Sequence, residues 1–311
     1  MKGQCCSCAS VKRGIPFHER IRRLTQAPLH RLALATLFLL SGCGRQSPPP
    51  QPPTGTTVRI VSLAPSLTEI ICAIGAEDCL VGRSSACQAP AGIVKRVPVA
   101  GDFGAPVLET LAKLAPHVVV TVDSEDGSTG AAVRQMGIQY ERVNCRTLDD
   151  IPRAIRRIGQ LLNREKPAQE LAGKIETELA ALRREPKPAK PARVFLEVWG
   201  DPLMTAGKTA FLSELIELAG GQNVMGDVNR DFFPVAPETV LGRNPDVIIL
   251  LEARDVAAAQ KTISQRAGWS EMNAVRNGRV CAGLDRGTLE VPGPRVLESV
   301  RILRGCLNHE H

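Results

Sequence analysis

The chain has 311 residues, enough for two α/β domains, and its net charge of +7 is unevenly placed. Residues 1–42 hold seven Lys/Arg and one acid, Glu19, while the remaining 32 basic and 31 acidic residues nearly cancel. A near-neutral body argues against a nucleic-acid footprint, which needs Lys and Arg clustered on the folded surface.

The basic leader precedes the run Leu32 to Leu40 and then Leu40-Ser41-Gly42-Cys43. That is the order of a secretion signal, and the run is too short to span a bilayer as a helix. Small residues just before a Cys resemble a bacterial lipobox, so residues 1–42 are read as a lipoprotein signal peptide and Cys43 as the lipidated N-terminus left by cleavage. Residues 43–57 continue as a Pro-rich tether. Export implies an oxidising compartment at the periplasm or outer cell surface. Six cysteines follow the anchor (Cys72, Cys79, Cys87, Cys145, Cys281, Cys306), and their spacing is not a zinc pattern. The body's histidines are His117, His309 and His311, so no metal site is expected.

Val58 to Leu63 reads as a buried strand, and Pro65 opens a helix whose apolar face is Ile70, Ile71, Ala73 and Ile74 before Gly75 ends it. Leu80 to Arg83 is a second strand, followed by a polar loop from Ser84 to Ala91. A lip at Gly101-Asp102-Phe103-Gly104 leads into a short helix from Pro106 to Leu114, and His117 to Val122 is a third strand. A helix near 131–136 and a strand near 140–143 complete a βαβ series, which implies a parallel sheet. Leu148, Ile151, Ile155, Ile158 and Leu162 have helical spacing. A long helix begins near Pro167, striped by Leu171, Ile175, Leu179 and Leu182, and ends at the Pro-rich run Pro186 to Pro191. The plan then repeats, with a strand from Arg193 to Trp199, a loop to Lys208 and a helix from Phe211 to Leu218. A second lip from Asn229 to Pro237 precedes a strand from Asp246 to Leu251 and a helix within 256–267. A strand at Arg279 to Cys281 and a helix from Pro294 to Cys306 close the chain.

The repeat is explicit. Asp102-Phe103, Glu109-Thr110 and Pro116 recur as Asp231-Phe232, Glu238-Thr239 and Pro245, each 129 positions on. A period this long exceeds that of solenoids and marks two similar half-proteins with the chemistry between them.

The stretch Arg59-Ile60-Val61-Ser62-Leu63-Ala64-Pro65-Ser66-Leu67-Thr68-Glu69 resembles the opening signature of helical-backbone (class III) substrate-binding proteins of ABC importers. Val198-Trp199-Gly200-Asp201-Pro202-Leu203 with Glu217-Leu218-Ala219-Gly220-Gly221 is similar to their second-lobe opening. The similarity covers essentially residues 58–307 and is nearest to the cobalamin-binding branch. It implies an α/β fold of two Rossmann-like lobes with parallel sheets, joined by a single long α-helix, with ligand held in the interlobe cleft. On that plan 58–147 is the N-terminal lobe, 148–191 holds the N-lobe helix and the interlobe helix, and 192–311 is the C-terminal lobe.

The resemblance further implies a monomer that binds cobalamin or a related corrinoid and passes it to a permease dimer. Membrane contact would be through the lipid only, with no nucleic acid and no catalytic cofactor. Phe103, Trp199 and Phe233 are the candidate platforms for a flat apolar ligand, with Phe233 favoured over Phe232. Ser84, Ser85 and Cys87 on the first-lobe loop and Asp285 and Arg286 on a second-lobe loop are the polar candidates. Relatives often carry His-Glu-Cys-Asp-Tyr-Pro where this chain has Ser85-Ala86-Cys87-Gln88-Ala89-Pro90. This departure keeps a ferric-siderophore or haem receptor as the alternative, with Arg83, Arg230 and Arg286 as anion contacts or plain solvated surface. Glu109 and Glu238 match the acids that dock such proteins onto their permease, although each also suits the first turn of a helix. Cys306 matches a family disulfide position whose usual partner position is Ala219 here, and Cys281 is taken as the substitute. The other four cysteines allow three pairings. No Gly-x-Ser-x-Gly elbow, Walker loop or His-Glu-x-x-His occurs, which argues against an enzyme. A purely structural lipoprotein would leave the two matched lips unexplained.

Overall fold

The computed structural model describes residues 57–122 and 127–308. The leader, Cys43 and the tether lie outside these residues.

The first half is built from β1 (Ile60–Ser62), α1 (Pro65–Ala73), β2 (Leu80–Ser84), α2 (Ala91–Arg96), β3 (Val99–Asp102), β4 (Ala105–Pro106), α3 (Leu108–Leu114), β5 (Val118–Thr121), α4 (Gly127–Gln135) and β6 (Gln139–Arg142). Its sheet has the order β4-β3-β2-β1-β5-β6, parallel except for the β3–β4 pair. Two helices follow, α5 (Asp150–Leu161) and α6 (Glu165–Arg184). The second half contains β7 (Ala192–Gly200), β8 (Leu203–Ala206), α7 (Phe211–Leu218), β9 (Gly221–Asn223), β10 (Phe232–Pro234), α8 (Pro237–Arg243), β11 (Val247–Leu250), α9 (Val256–Gln265), α10 (Asn273–Arg276), β12 (Val280–Cys281), α11 (Arg286–Leu289) and α12 (Val296–Asn308). Its sheet runs β10-β8-β7-β11-β12, with β9 also paired to β7. The segments around Leu203–Ala206 and Phe232–Pro234, expected as loops, are antiparallel strands β8 and β10 that extend this sheet from β7.

Strand alternation divides the side chains between two faces, as the pleat requires. In the first sheet Ile60, Val118 and Val120 enter one core, while Val61 and Val119 enter a smaller one with Leu111, Val133 and Tyr140. In the second, Val194, Leu196, Val247 and Ile249 face one core. Phe195 and Ile248 face another around the fully buried Trp269, whose ring meets Phe195 edge-on at 6.0 Å. The cores on the inner faces are one cluster. It runs from Leu67 and Ile70 on α1 through Ile151, Ile155 and Ile158 on α5, then Ala172, Ile175 and Leu179 on α6, to Leu212, Leu215, Val300 and Leu303 on α7 and α12. Each such buried Leu or Ile contributes about 2 kcal/mol.

The 20 residues of α6 make a rod about 30 Å long. Pro167 sits in its first turn, where a missing N–H costs nothing. It starts two residues before Pro167 and presents Ala168, Ala172, Ile175 and Leu179 as its buried stripe. Polar ties across the lobes supplement the shared core. Leu148 N–H donates to Glu214 Oε2 at 2.9 Å, the Cys145 thiol donates to Pro292 O at 2.9 Å, and Arg295 pairs with Glu69 at 2.6 Å. Cys281 and Cys306 form a disulfide between β12 and α12, with Cys281 standing in for the usual partner position at Ala219.

The 129-residue offset holds in the elements that follow each lip. It carries α3 onto α8 and β5 onto β11, and maps the buried anchor Leu111 onto Val240. It also maps Ala115 (φ 41°) onto Asn244 (φ 39°), the left-handed residues that end the two short helices before Pro116 and Pro245. Asn tolerates that backbone, whereas the Cβ of Ala is crowded there. Replacing Ala115 by Gly is therefore expected to stabilise the protein by about 0.5–1 kcal/mol in urea titration, with no change in the slope of the transition.

Candidate functional site

The C-terminal ends of the strands in both sheets open on a cleft of about 1000 Å³. Its N-lobe wall is Pro65 and Glu69 from α1 with Ala86, Gln88 and Ala89 from the loop after β2. Its C-lobe wall is Leu251, Glu252 and Arg254, the segment Gly283 to Gly287, then Glu290, Val291 and Arg295. This is where open α/β sheets hold ligand, because successive loops diverge at the strand ends.

The floor of the cleft is charged and internally paired. The Arg295 guanidinium at the start of α12 sends Nη2 to Glu69 Oε1 at 2.6 Å and Nε to Glu69 Oε2 at 3.0 Å, bridging the lobes. On its own side it also donates to Asp285 Oδ2 at 3.2 Å, to Gly287 O at 3.1 Å and to the Thr288 hydroxyl. Asp285 caps α11, accepting from Gly287 N–H at 3.1 Å and from the Thr288 hydroxyl at 2.5 Å. The Thr288 bond, aided by Arg295, holds its carboxyl below the usual range. Arg286 lies between Glu290 (2.5 Å) and Glu252 (3.0 Å), with its Cζ 5.9 Å from the centre of the Trp199 ring. Burial pushes the Glu290 carboxyl up, against the lowering effect of Arg286.

The aromatic candidates separate clearly. Phe103 (56% exposed) and Trp199 (43%) stand open, but Phe233 does not. In β10 the side chains alternate, so Phe233, opposite Thr205, turns into the core with Phe195, Met225 and Val240. Phe232, opposite Ala206, is left 48% exposed. Of that pair Phe232, not Phe233, is therefore the exposed member. The repeat offset, which maps Phe103 onto Phe232, carried this signal in the sequence. Trp199 follows a bulge between Glu197 and itself, and its indole N–H donates to Asp201 O at 2.8 Å. Arg266 grips Glu197 through both carboxylate oxygens and so braces the strand that presents Trp199.

The polar candidates on the first-lobe loop also divide. Ser85 is exposed and donates to Asp102 Oδ1 at 2.5 Å, tying this loop to the lip that carries Phe103. Ser84 is fully buried and Cys87 nearly so; they lie behind the cleft wall, where the Ser84 hydroxyl accepts from Ala86 N–H at 3.1 Å. Neither offers a ligand atom to the cleft, which corrects that part of the expected set. Arg83 is neither solvated nor an anion contact. It is buried and donates to the carbonyls of Val97, Ser84 and Val94, folding the loop around itself. Asp285 and Arg286 do line the cleft, with their polar atoms engaged by neighbours as described. Glu109 and Glu238 are exposed in the first turns of α3 and α8. Glu69, Glu252, Arg254, Glu290 and Arg295 are cleft residues that the sequence reading missed.

Each lip depends on one glycine where backbone passes close. A Cβ on Gly101 would lie 2.2 Å from Ala105 O, and one on Gly207 would lie 2.4 Å from Arg230 O. The lips that present Phe103 and Phe232 therefore close only around a residue without a side chain.

A family model described as a periplasmic binding protein matches residues 60–285. The chain is 30% identical to an uncharacterised ABC transporter substrate-binding lipoprotein of Bacillus subtilis, covering 79% of this chain and 78% of that one. Among solved structures, the periplasmic vitamin B12 binding protein of Vibrio cholerae superposes with a TM-score of 0.70 at 28% identity, covering 81% of this chain and 97% of the other. A periplasmic haem-binding protein from Roseiflexus sp. RS-1 superposes with 0.69 at 26% identity, covering 81% and 100%. These relatives are substrate-binding proteins and not enzymes. Two mostly parallel sheets, one long connecting helix, a cleft between the strand ends and a family match across both halves lead to one conclusion: the chain belongs to the periplasmic binding protein family, with the class III helical-backbone fold.

Proposed function

We propose that the protein is the extracytoplasmic substrate-binding lipoprotein of an ABC importer, that it holds cobalamin or a related corrinoid in the interlobe cleft, and that it delivers it to a permease dimer. On this reading residues 1–42 are removed, Cys43 carries the lipid, 43–57 is the tether, and the folded monomer works at the periplasm or outer cell surface. The observation that carries the reading is the aromatic distribution. Phe103, Trp199 and Phe232 are the large aromatics left exposed among the described residues; Trp199 lies beside Arg286, which lines the cleft of about 1000 Å³, and the lip of Phe103 is tied through Ser85 to the loop that walls it. A corrinoid is a broad, mostly apolar disc with a polar amide rim. It calls for flat apolar contacts around it and a few fixed polar groups within, which Ser85, Asp285 and Arg286 would supply.

A haem or a ferric siderophore is the second reading, and one observation favours it. Arg254, Arg286 and Arg295 all line the cleft, where they would meet ligand carboxylates, and the loop Ser85 to Pro90 lacks the acids and Tyr common in the cobalamin branch. Titration by tryptophan fluorescence separates the two, because Trp269 is fully buried and Trp199 is open. Quenching that saturates with cobalamin and not with haem or mixed ferric siderophores supports the first reading; the reverse pattern supports the second. Trp199→Ala is expected to remove most of that quenching and to cost about 1 kcal/mol of affinity, roughly a five-fold rise in Kd by calorimetry, while leaving the melting temperature near that of the wild type.

Glu109 and Glu238 are assigned to permease docking. They occupy the same position of two matched helices, one per lobe, and point their charge to solvent. The double variant Glu109→Ala with Glu238→Ala is expected to abolish uptake in cells while ligand affinity of the purified protein stays unchanged; a loss of affinity would move these residues into the ligand site.

A further inference from the structure

Four cysteines stand outside the Cys281–Cys306 bridge: Cys72, Cys79, Cys87 and Cys145. Periplasmic binding proteins work where disulfides form and persist. The fold sorts these four thiols. Cys145 is committed to the lobe interface, donating to Pro292 O, and burial pushes its thiol up to about 12. Cys79 lies in the turn before β2, with Arg164, Asp78 and Glu77 as its charged surroundings.

Cys72 and Cys87 are placed differently. Cys87 packs its sulfur 3.2 Å from Thr68 Oγ1 and 3.8 Å from Ser84 Oγ, against the first turns of α1. Cys72 is one turn beyond Thr68 on the same helix, so the two share a face. Side chains on a helix tilt towards its N-terminus, so the Cys72 thiol leans back towards Thr68 and the sulfur that Thr68 contacts. Burial pushes the Cys72 thiol up to about 11, and Cys87 is one of the nearby groups that add to the rise. For neither Cys79 nor Cys145 does another of these cysteines contribute in this way.

We propose that Cys72 and Cys87 form a second disulfide in the exported protein, bridging α1 to the loop that walls the N-lobe side of the cleft. The oxidant is a protein or glutathione disulfide. One cysteine thiolate attacks it and displaces a thiolate, giving a mixed disulfide. The second cysteine, as thiolate, then attacks the mixed disulfide, forming the Cys72–Cys87 bond and expelling the other thiolate. Two protons leave the cysteines, and two electrons pass to the oxidant, which ends as two thiols. Because burial disfavours the Cys72 thiolate in the folded chain, exchange is fastest while the chain is still folding. The loop concerned supplies Ala86, Gln88 and Ala89 to the cleft, so the bridge fixes part of the ligand wall.

The test uses the full chain exported to the periplasm of an expression host, denatured without reductant in the presence of iodoacetamide, digested and mapped by mass spectrometry. The expected result is a linked Cys72–Cys87 peptide beside the Cys281–Cys306 one, with Cys79 and Cys145 alkylated. Hydrogen exchange of amides in residues 84–91 is expected to be about ten-fold faster in Cys72→Ser and in Cys87→Ser than in the wild type. Full alkylation of both Cys72 and Cys87, persisting after refolding in a glutathione redox buffer, overturns the proposal. So does a link from either residue to Cys79 or Cys145. A mapped bridge with unchanged exchange in Cys72→Ser overturns its role in fixing the cleft wall. None of these outcomes depends on which ligand the cleft takes.

Discussion

The architecture depends on how Glu69 is neutralised. Its carboxylate is 6% exposed on α1, and the guanidinium that meets it comes from α12, 226 positions along the chain and in the other lobe. Removing the guanidinium at this point would leave a nearly buried carboxylate without its counter-charge, a loss worth several kcal/mol. The same Arg295 also holds Asp285 and the α11 turn, so the far wall of the cleft is fixed by the group that fixes the near one. Beneath this contact the hydrophobic interior is continuous from one lobe to the other through α5 and α6. Ion pair and apolar packing act together: one sets the separation of the walls, the other resists its change.

On that frame the two halves present matched surfaces. The pairs Leu111 and Val240 pin the short helices, the left-handed residues Ala115 and Asn244 end them, and Pro116 and Pro245 start the next strands. What differs between the halves is around the cleft. The second half extends its sheet from β7 with two antiparallel strands, and Trp199 projects from the end of β7 just before the turn into β8. The first half offers instead a loop folded around the buried Arg83 and tied by Ser85 to its lip. On the proposed function, the matched outer helices suit a two-fold permease and the asymmetric cleft suits an irregular ligand.

Much of the fold was legible in the sequence because it rests on local signals. Apolar runs such as Val118 to Val120 and Val247 to Ile249 announce strands buried on both faces. Proline at the ends of the long helix and its stripe through Ile175 and Leu179 identify the connecting rod. The illegible parts have a common cause, which is dependence on contacts distant in sequence. Glu69 reads as an ordinary helix acid until α12 is folded against it. Arg83 reads as a surface cation, yet backbone carbonyls of the α2 segment enclose it. The strands β8 and β10 are short and bounded by glycine, proline and polar residues, so only their pairing with each other and with β7 makes them strands. Ser84 ends β2 instead of opening the loop, and Cys87 on that loop turns its sulfur onto Thr68 and Ser84.

The continuous interior has a kinetic meaning. When two lobes move as separate bodies, a ligand must select or induce the closed form, and its apparent affinity is reduced by the rarity of that form. Lobes that share one packed core begin already near the geometry in which they hold their cargo. Capture then approaches the rate of diffusional encounter, and differences in affinity among cargoes are expressed almost wholly in how long each one stays.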